Sequence, residues 1–146
     1  MRICVVNGPN LNLLGSREPE IYGRTTLAEI ESSLRAVASQ LGVEVEFVQS
    51  NHEGVLIDAI QGLRGRCEGA IVNLGAYSHT SLALRDALAA VAIPYVEVHL
   101  SNLFAREPER QRTVLASGAR GFVCGFGALG YELALRGLVA DLRARA

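Results

Sequence analysis

Short apolar runs and stretches of helical period alternate along the whole chain, and that alternation constrains the fold more than any other feature. Arg2–Asn7 is an apolar run closed by Gly8-Pro9, which reads as a buried strand. Thr26 and Glu29 have capping-box spacing, and Leu27, Ile30, Leu34, Val37 and Leu41 follow at helical spacing up to Gly42. Val43–Val48 alternates apolar residues with Glu44 and Glu46, a strand with one wetter face near a sheet edge. The same reading gives a helix over Val55–Leu63, a strand over Ala70–Leu74, and an Ala/Leu-rich helix over Ser81–Val91 ended by Pro94. Further on come a strand over Tyr95–Leu100, a short helical segment near Glu109–Leu115, a strand over Gly121–Cys124 and a closing helix over Tyr131–Arg143. Five strands alternating with five helices imply right-handed crossovers and a parallel sheet covered on both faces. The expected fold is α/β, a flavodoxin-like three-layer sandwich with a five-stranded parallel sheet.

Composition narrows the function. A length of 146 residues suits one domain spanning 1–146, and 49% hydrophobic with 20% charged residues gives it a core to bury. A net charge of −1 offers no electrostatic footprint for nucleic acid or an anionic membrane. All 14 basic residues are arginine, so Schiff-base chemistry on lysine and a phosphate-loop lysine are both excluded. Cys4, Cys67 and Cys124 form no CxxC pair, which fits free thiols in a reducing cytoplasm, with Cys4 and Cys124 as core filler. The first residues turn polar too soon for a signal peptide, and no run reaches membrane-spanning length.

In open parallel sheets ligands bind at the carboxyl ends of the strands. Asn7, Asn10, Asn12, Asn51, His52, Asn73, Gly75, His79, Glu97, His99, Ser101 and Asn102 all fall there, including every histidine of the chain. Glu97 and His99 are two apart in a strand and share a face, as either a general acid with its orienting carboxylate or a buried structural pair. The histidines lack HxH or HxxxH spacing, so no metal is expected. Gly15–Arg24 is a polar loop framed by glycines, the form of a mobile lid, carrying Tyr22 among arginines. A free tyrosine ionises near pH ~10 and is no base at neutrality, but guanidinium neighbours favour its phenolate. An exposed loop tyrosine is the competing reading. Arg106, Arg110 and Arg112 suit either bidentate recognition of a carboxylate or a solvated helix face. Gly125–Gly130 matches GxGxxG, yet only one helix follows it, so its glycines are expected to serve close packing of strand against helix.

Together these segments resemble the type II 3-dehydroquinate dehydratases along the whole chain. The resemblance rests on Asn7-Gly8-Pro9-Asn10-Leu11-Asn12, Arg17-Glu18-Pro19 with Tyr22-Gly23, and Gln49–Gly54. It continues through Asn73–Ser81, Leu84-Arg85-Asp86-Ala87, Glu97–Asn102 and Gly125-Phe126-Gly127. It implies a cofactor-free dehydration of the small molecule 3-dehydroquinate to 3-dehydroshikimate through an enolate, in the shikimate or quinate pathway. By resemblance, Tyr22 is the base, Arg17 holds it ionised, Asn10 stabilises the enolate, and His99 oriented by Glu97 protonates the leaving hydroxyl. Asn73, Leu100 and Ser101 match positions that hold the substrate carboxylate, and His79 and Arg110 match those contacting ring hydroxyls. Asp86 matches a residue offered by a neighbouring subunit. The family's usual state is a homo-oligomer, trimers forming a dodecamer.

Two departures from the family pattern stand out. Leu74 occupies a place where a small residue is expected, and Glu107–Ser117 lacks the usual aromatic near Glu109 and the His-Ser pair near Arg112-Thr113. The alternative function is a nucleotide- or flavin-binding protein of flavodoxin-like fold, resting on the glycine-rich turn and the architecture.

Overall fold

The computed structural model describes residues 1–146. Five strands, β1 (Arg2–Asn7), β2 (Glu44–Gln49), β3 (Gly69–Asn73), β4 (Tyr95–His99) and β5 (Gly121–Cys124), form one sheet in the order β2-β1-β3-β4-β5. Every pairing is parallel. The helices are α1 (Pro19–Tyr22), α2 (Leu27–Leu41), α3 (Glu53–Gln61), α4 (Leu82–Val91) and α5 (Leu129–Ala144). This is the flavodoxin-like sandwich, with β2 at one edge as its alternating glutamates require.

Side-chain alternation in the strands builds two cores from one sheet. In β1, Ile3 and Val5 face α2 and α5 in one layer, while Cys4 and Val6 face α3 and α4 in the other. The helix starts follow their caps. Thr26 accepts a hydrogen bond from the Glu29 amide at 3.2 Å, and Ser81 accepts one from the Leu84 amide at 3.0 Å. Gly42 closes α2 at φ 68°, a conformation that favours glycine.

Three expectations need correction. Glu109–Leu115 is not helical; only a 3-10 turn at Pro108–Arg110 forms there. Beyond it the backbone bonds elsewhere, the Val114 amide to the Ser78 carbonyl at 2.8 Å and the Leu115 amide to the Thr113 hydroxyl at 3.0 Å. Tertiary partners have replaced the helical ladder, and Leu115 is fully buried in the α3/α4 layer. The segment read as an irregular loop contains α1, one turn started by Pro19 with its preset φ and ended by Gly23 at φ 81°. Cys124 is half-buried on edge strand β5 instead of filling the core, whereas Cys4 is fully buried.

One close approach positions the loops after β1 and β3. The Gly8 amide bonds the Asn73 carbonyl at 2.8 Å, and a β-carbon on Gly8 would stand 2.5 Å from the Leu74 carbonyl oxygen. Backbone cannot yield as a side-chain tip can. Gly8→Ala is therefore expected to lower unfolding free energy by about 1–3 kcal/mol in urea titration. Gly54→Ala, where a β-carbon meets nothing within 4 Å, is the near-neutral control.

Candidate active site

The carboxyl ends of β1, β3 and β4 open into one cleft of about 490 Å³. Ten of the eleven residues expected at the site are gathered there: Asn10, Arg17, Tyr22, Asn73, His79, His99, Leu100, Ser101 and Arg110 line the cleft, and Glu97 lies behind His99. Asp86 does not line it. That side chain is exposed on α4, with its carboxylate 3.8 Å from Arg85. His52, Asn12 and Asn51 also stay off the cleft wall, although Asn51 Oδ1 accepts the Asn10 amide at 3.0 Å and so holds the loop that carries Asn10. Asn10 itself sits at φ 68°, a left-handed conformation asparagine tolerates better than most residues.

On one side of the cleft α1 presents Tyr22 to two guanidinium groups. Arg17 Cζ lies 4.8 Å from the ring centroid and Arg106 Cζ 5.6 Å from it. Arg106 also donates to the Tyr22 hydroxyl at 3.5 Å and to the Ser101 hydroxyl at 3.1 Å. Burial works against the Arg106 charge, but Tyr22 together with the carboxylates of Glu107 and Glu18 outweighs it and holds the guanidinium above its ordinary value. The other phenols contrast with this one. Burial, then the Glu97 charge, pushes Tyr95 up to about 12, and burial pushes Tyr131 well above the usual phenol range. Tyr77 donates its hydroxyl to the Asn51 carbonyl at 2.9 Å. Of the four tyrosines, Tyr22 alone packs against arginines at the cleft wall.

Across the cleft, buried Glu97 accepts a hydrogen bond from His99 at 2.6 Å. A carboxylate only accepts, so the bonded Nε2 carries a proton and Nδ1 is the nitrogen left for exchange. The His79 ring stacks on His99 at 5.9 Å between centroids. His79 Nδ1 donates to the Arg112 carbonyl at 2.7 Å, which leaves Nε2 to act toward the cleft.

The floor rests on a buried network that the sequence reading missed. Asn7 on β1 and Asn73 on β3 are cross-strand neighbours, and α5 inserts the Tyr131 hydroxyl between them. That hydroxyl donates to Asn7 Oδ1 at 2.6 Å and accepts from Asn73 Nδ2 at 2.9 Å, fixing which way the Asn73 amide faces. Arg106 was visible only as one of three arginines after β4, and no spacing rule separates it from Arg112. Tyr131, at the head of an amphipathic helix, reads as ordinary core. Leu74 has no access to the cleft: its side chain is fully buried in the α3/α4 layer, so this departure leaves the cleft lining unchanged.

A phenol beside two guanidinium groups on one wall, a carboxylate-bonded imidazole on the other and amides at the floor are the groups of a small-molecule acid–base site on a doubly wound sheet. The glycine-rich turn does not compete as a phosphate cradle. Its Gly125 and Gly127 amides are spent on the His99 and Leu100 carbonyls, and a β-carbon on Gly130 would stand 3.5 Å from both Val98 and Val123. Residues 1–139 match the model of the family described as dehydroquinase class II. The chain is 60% identical to a 3-dehydroquinate dehydratase of Gemmatimonas aurantiaca over 97% of this chain and 93% of that one. It is 50% identical to a catabolic 3-dehydroquinase of Aspergillus oryzae, covering 98% and 94%. The crystal structure of the type II dehydroquinase from Propionibacterium acnes superposes with a TM-score of 0.91 at 40% identity, covering 96% and 97%. The chain belongs to the dehydroquinase class II family.

Tyr131→Phe leaves Asn7 Oδ1 and Asn73 Nδ2 buried without their shared partner. Thermal and urea unfolding should report a loss of about 1–3 kcal/mol. Tyr77→Phe, which removes an exposed hydroxyl bond, should cost well under half as much.

Proposed function

We infer that the cleft dehydrates 3-dehydroquinate to 3-dehydroshikimate, the hydro-lyase step of its family. The observation that carries this reading is the placement of Tyr22 between Arg17 and Arg106, facing the Glu97–His99 pair across a cleft of about 490 Å³.

The residue roles follow from the chemistry. The C–H bond alpha to the ketone breaks and its proton passes to the Tyr22 phenolate, which the two guanidinium charges stabilise. The electron pair moves to the ketone oxygen, where the Asn10 amide stabilises the enolate. As the enolate collapses, the C–O bond to the β-hydroxyl breaks and His99 supplies the proton that makes it water. Glu97 holds the imidazole for that transfer. Asn73, Leu100 and Ser101 hold the substrate carboxylate, with Arg106 tying Ser101 to the tyrosine side of the cleft. His79 and Arg110 address the ring hydroxyls, and the Glu107 carboxylate steadies Arg110 at 2.5 Å.

Assembly belongs to the same proposal. Asp86, exposed and outside its own cleft, serves a neighbouring subunit in a trimer, and trimers associate into a dodecamer. The whole chain acts as one catalytic domain in the cytoplasm, in the shikimate or quinate pathway. No helix is long and apolar enough to cross a membrane.

Purified protein mixed with 3-dehydroquinate, without added metal or cofactor, should generate the conjugated enone absorbance of the product; no rise would overturn the reading. Tyr22→Phe should lower kcat by roughly 10²–10⁴-fold with unchanged circular dichroism, and near-normal turnover would remove Tyr22 as the base. Asp86→Ala should raise KM several-fold while sparing the fold, and an unchanged KM would count against shared sites.

A further inference from the structure

The Glu107–Ser117 segment holds both cleft imidazoles through residues 112–115. The Arg112 carbonyl accepts from His79 at 2.7 Å, the Val114 amide bonds the Ser78 carbonyl at 2.8 Å, and the Leu115 carbonyl accepts the Tyr95 hydroxyl at 2.5 Å. Between these anchors, Thr113 donates its hydroxyl to Glu97 Oε1 at 2.7 Å. Its direction is set, because the Leu115 amide already donates to Thr113 Oγ1 at 3.0 Å and leaves the hydroxyl proton to point at the carboxylate.

Glu97 is fully buried, and its second oxygen, Oε2, has no hydrogen-bond partner. Both bonds to this carboxylate therefore converge on Oε1, one from His99 and one from Thr113. A buried carboxylate bonded only to His99 could turn about its last torsion and offer either oxygen, carrying the imidazole with it. Thr113 removes that freedom. We propose that Thr113 is a positioning residue for the proton donor: by pinning Glu97 Oε1 it fixes the orientation in which His99 meets the leaving hydroxyl. The role needs a hydroxyl on a β-carbon at this place; removing it also frees the Leu115 amide, while the strap's backbone bonds to His79, Ser78 and Tyr95 involve no atom of the 113 side chain.

This inference rests on the reading of His99 as the donor in the second half of the reaction, and the experiment separates the two. In deuterated water, exchange of the alpha proton in recovered substrate reports enolate formation, while enone absorbance reports loss of the hydroxyl. His99→Ala should exchange its substrate yet release little product. Thr113→Val, nearly equal in size, should lower kcat about tenfold, the usual cost of losing an outer-shell partner. KM should stay within about twofold, and the ratio of exchange to product should rise as it does for His99→Ala. Thr113→Ser should restore both toward the unsubstituted protein, and Thr113→Ala provides the same comparison should valine not be accommodated. If His99→Ala stalls after exchange while Thr113→Val and Thr113→Ala partition normally, the positioning role is overturned and the assignment of His99 stands. If His99→Ala forms product normally, both fall.

Discussion

A single buried phenol joins the architecture to the chemistry. In the order β2-β1-β3-β4-β5, the chain leaves β1 toward one edge and later returns to its other side, so the connections that follow β1 and β3 run to opposite faces and open a crevice at the carboxyl ends of the strands. Asn7 and Asn73 end those two strands side by side, and Tyr131 from α5 bonds both amides with one hydroxyl. Without that bridge Asn7 would lose its side-chain partner, and Asn73 would be held only by the Gly75 amide on its Oδ1. With it, α5 is tied to the sheet beneath the cleft, and the Asn73 amide has a defined face toward it. Burial keeps the Tyr131 phenol protonated, so the bridge keeps its donor far into alkaline conditions.

The cleft then divides its labour by charge. Arginines stand on the Tyr22 side, and the buried Glu97 stands on the other, bonded to His99. Swapping the two environments would defeat both groups, since a carboxylate beside Tyr22 would oppose its ionisation and an arginine beside His99 would oppose its protonation. Tyr95 shows the first effect within this molecule: burial and the Glu97 charge together push its phenol up to about 12.

Sequence periodicity located all five strands to within a residue or two: β1, β3 and β4 are buried on both faces and read as continuous apolar runs with sharp ends, and edge strand β2 shows itself by its alternation. The site residues were legible for a different reason. They sit in short polar loops whose composition is unusual, Asn7–Asn12 and Asn73–His79 above all, and the family resemblance gave each one a role. What stayed hidden was everything that depends on which residue happens to arrive from elsewhere. Arg106, Arg110 and Arg112 look alike in sequence, yet Arg106 reaches the Tyr22 hydroxyl, Arg110 pairs with Glu107, and Arg112 contributes a backbone carbonyl. The expected helix over Glu109–Leu115 failed because its apolar residues have a core to fill and its amides have tertiary acceptors, which propensity does not see.

The two departures from the family pattern illustrate how position in the pleat decides what a substitution means. Leu74 follows Asn73 directly, and successive residues of an extended chain point to opposite faces. Asn73 turns toward Tyr131 and the cleft, so Leu74 turns into the α3/α4 layer, where a large apolar side chain is an asset. The resemblance places a His-Ser pair near Arg112-Thr113, and Thr113 supplies a hydroxyl there together with a methyl group. Because the Leu115 amide occupies one side of that oxygen, the proton still points to Glu97, and the stiffer χ1 of a β-branched residue narrows the directions in which it can point. A variable strap can therefore carry a fixed interaction, provided the one atom that touches the carboxylate is retained.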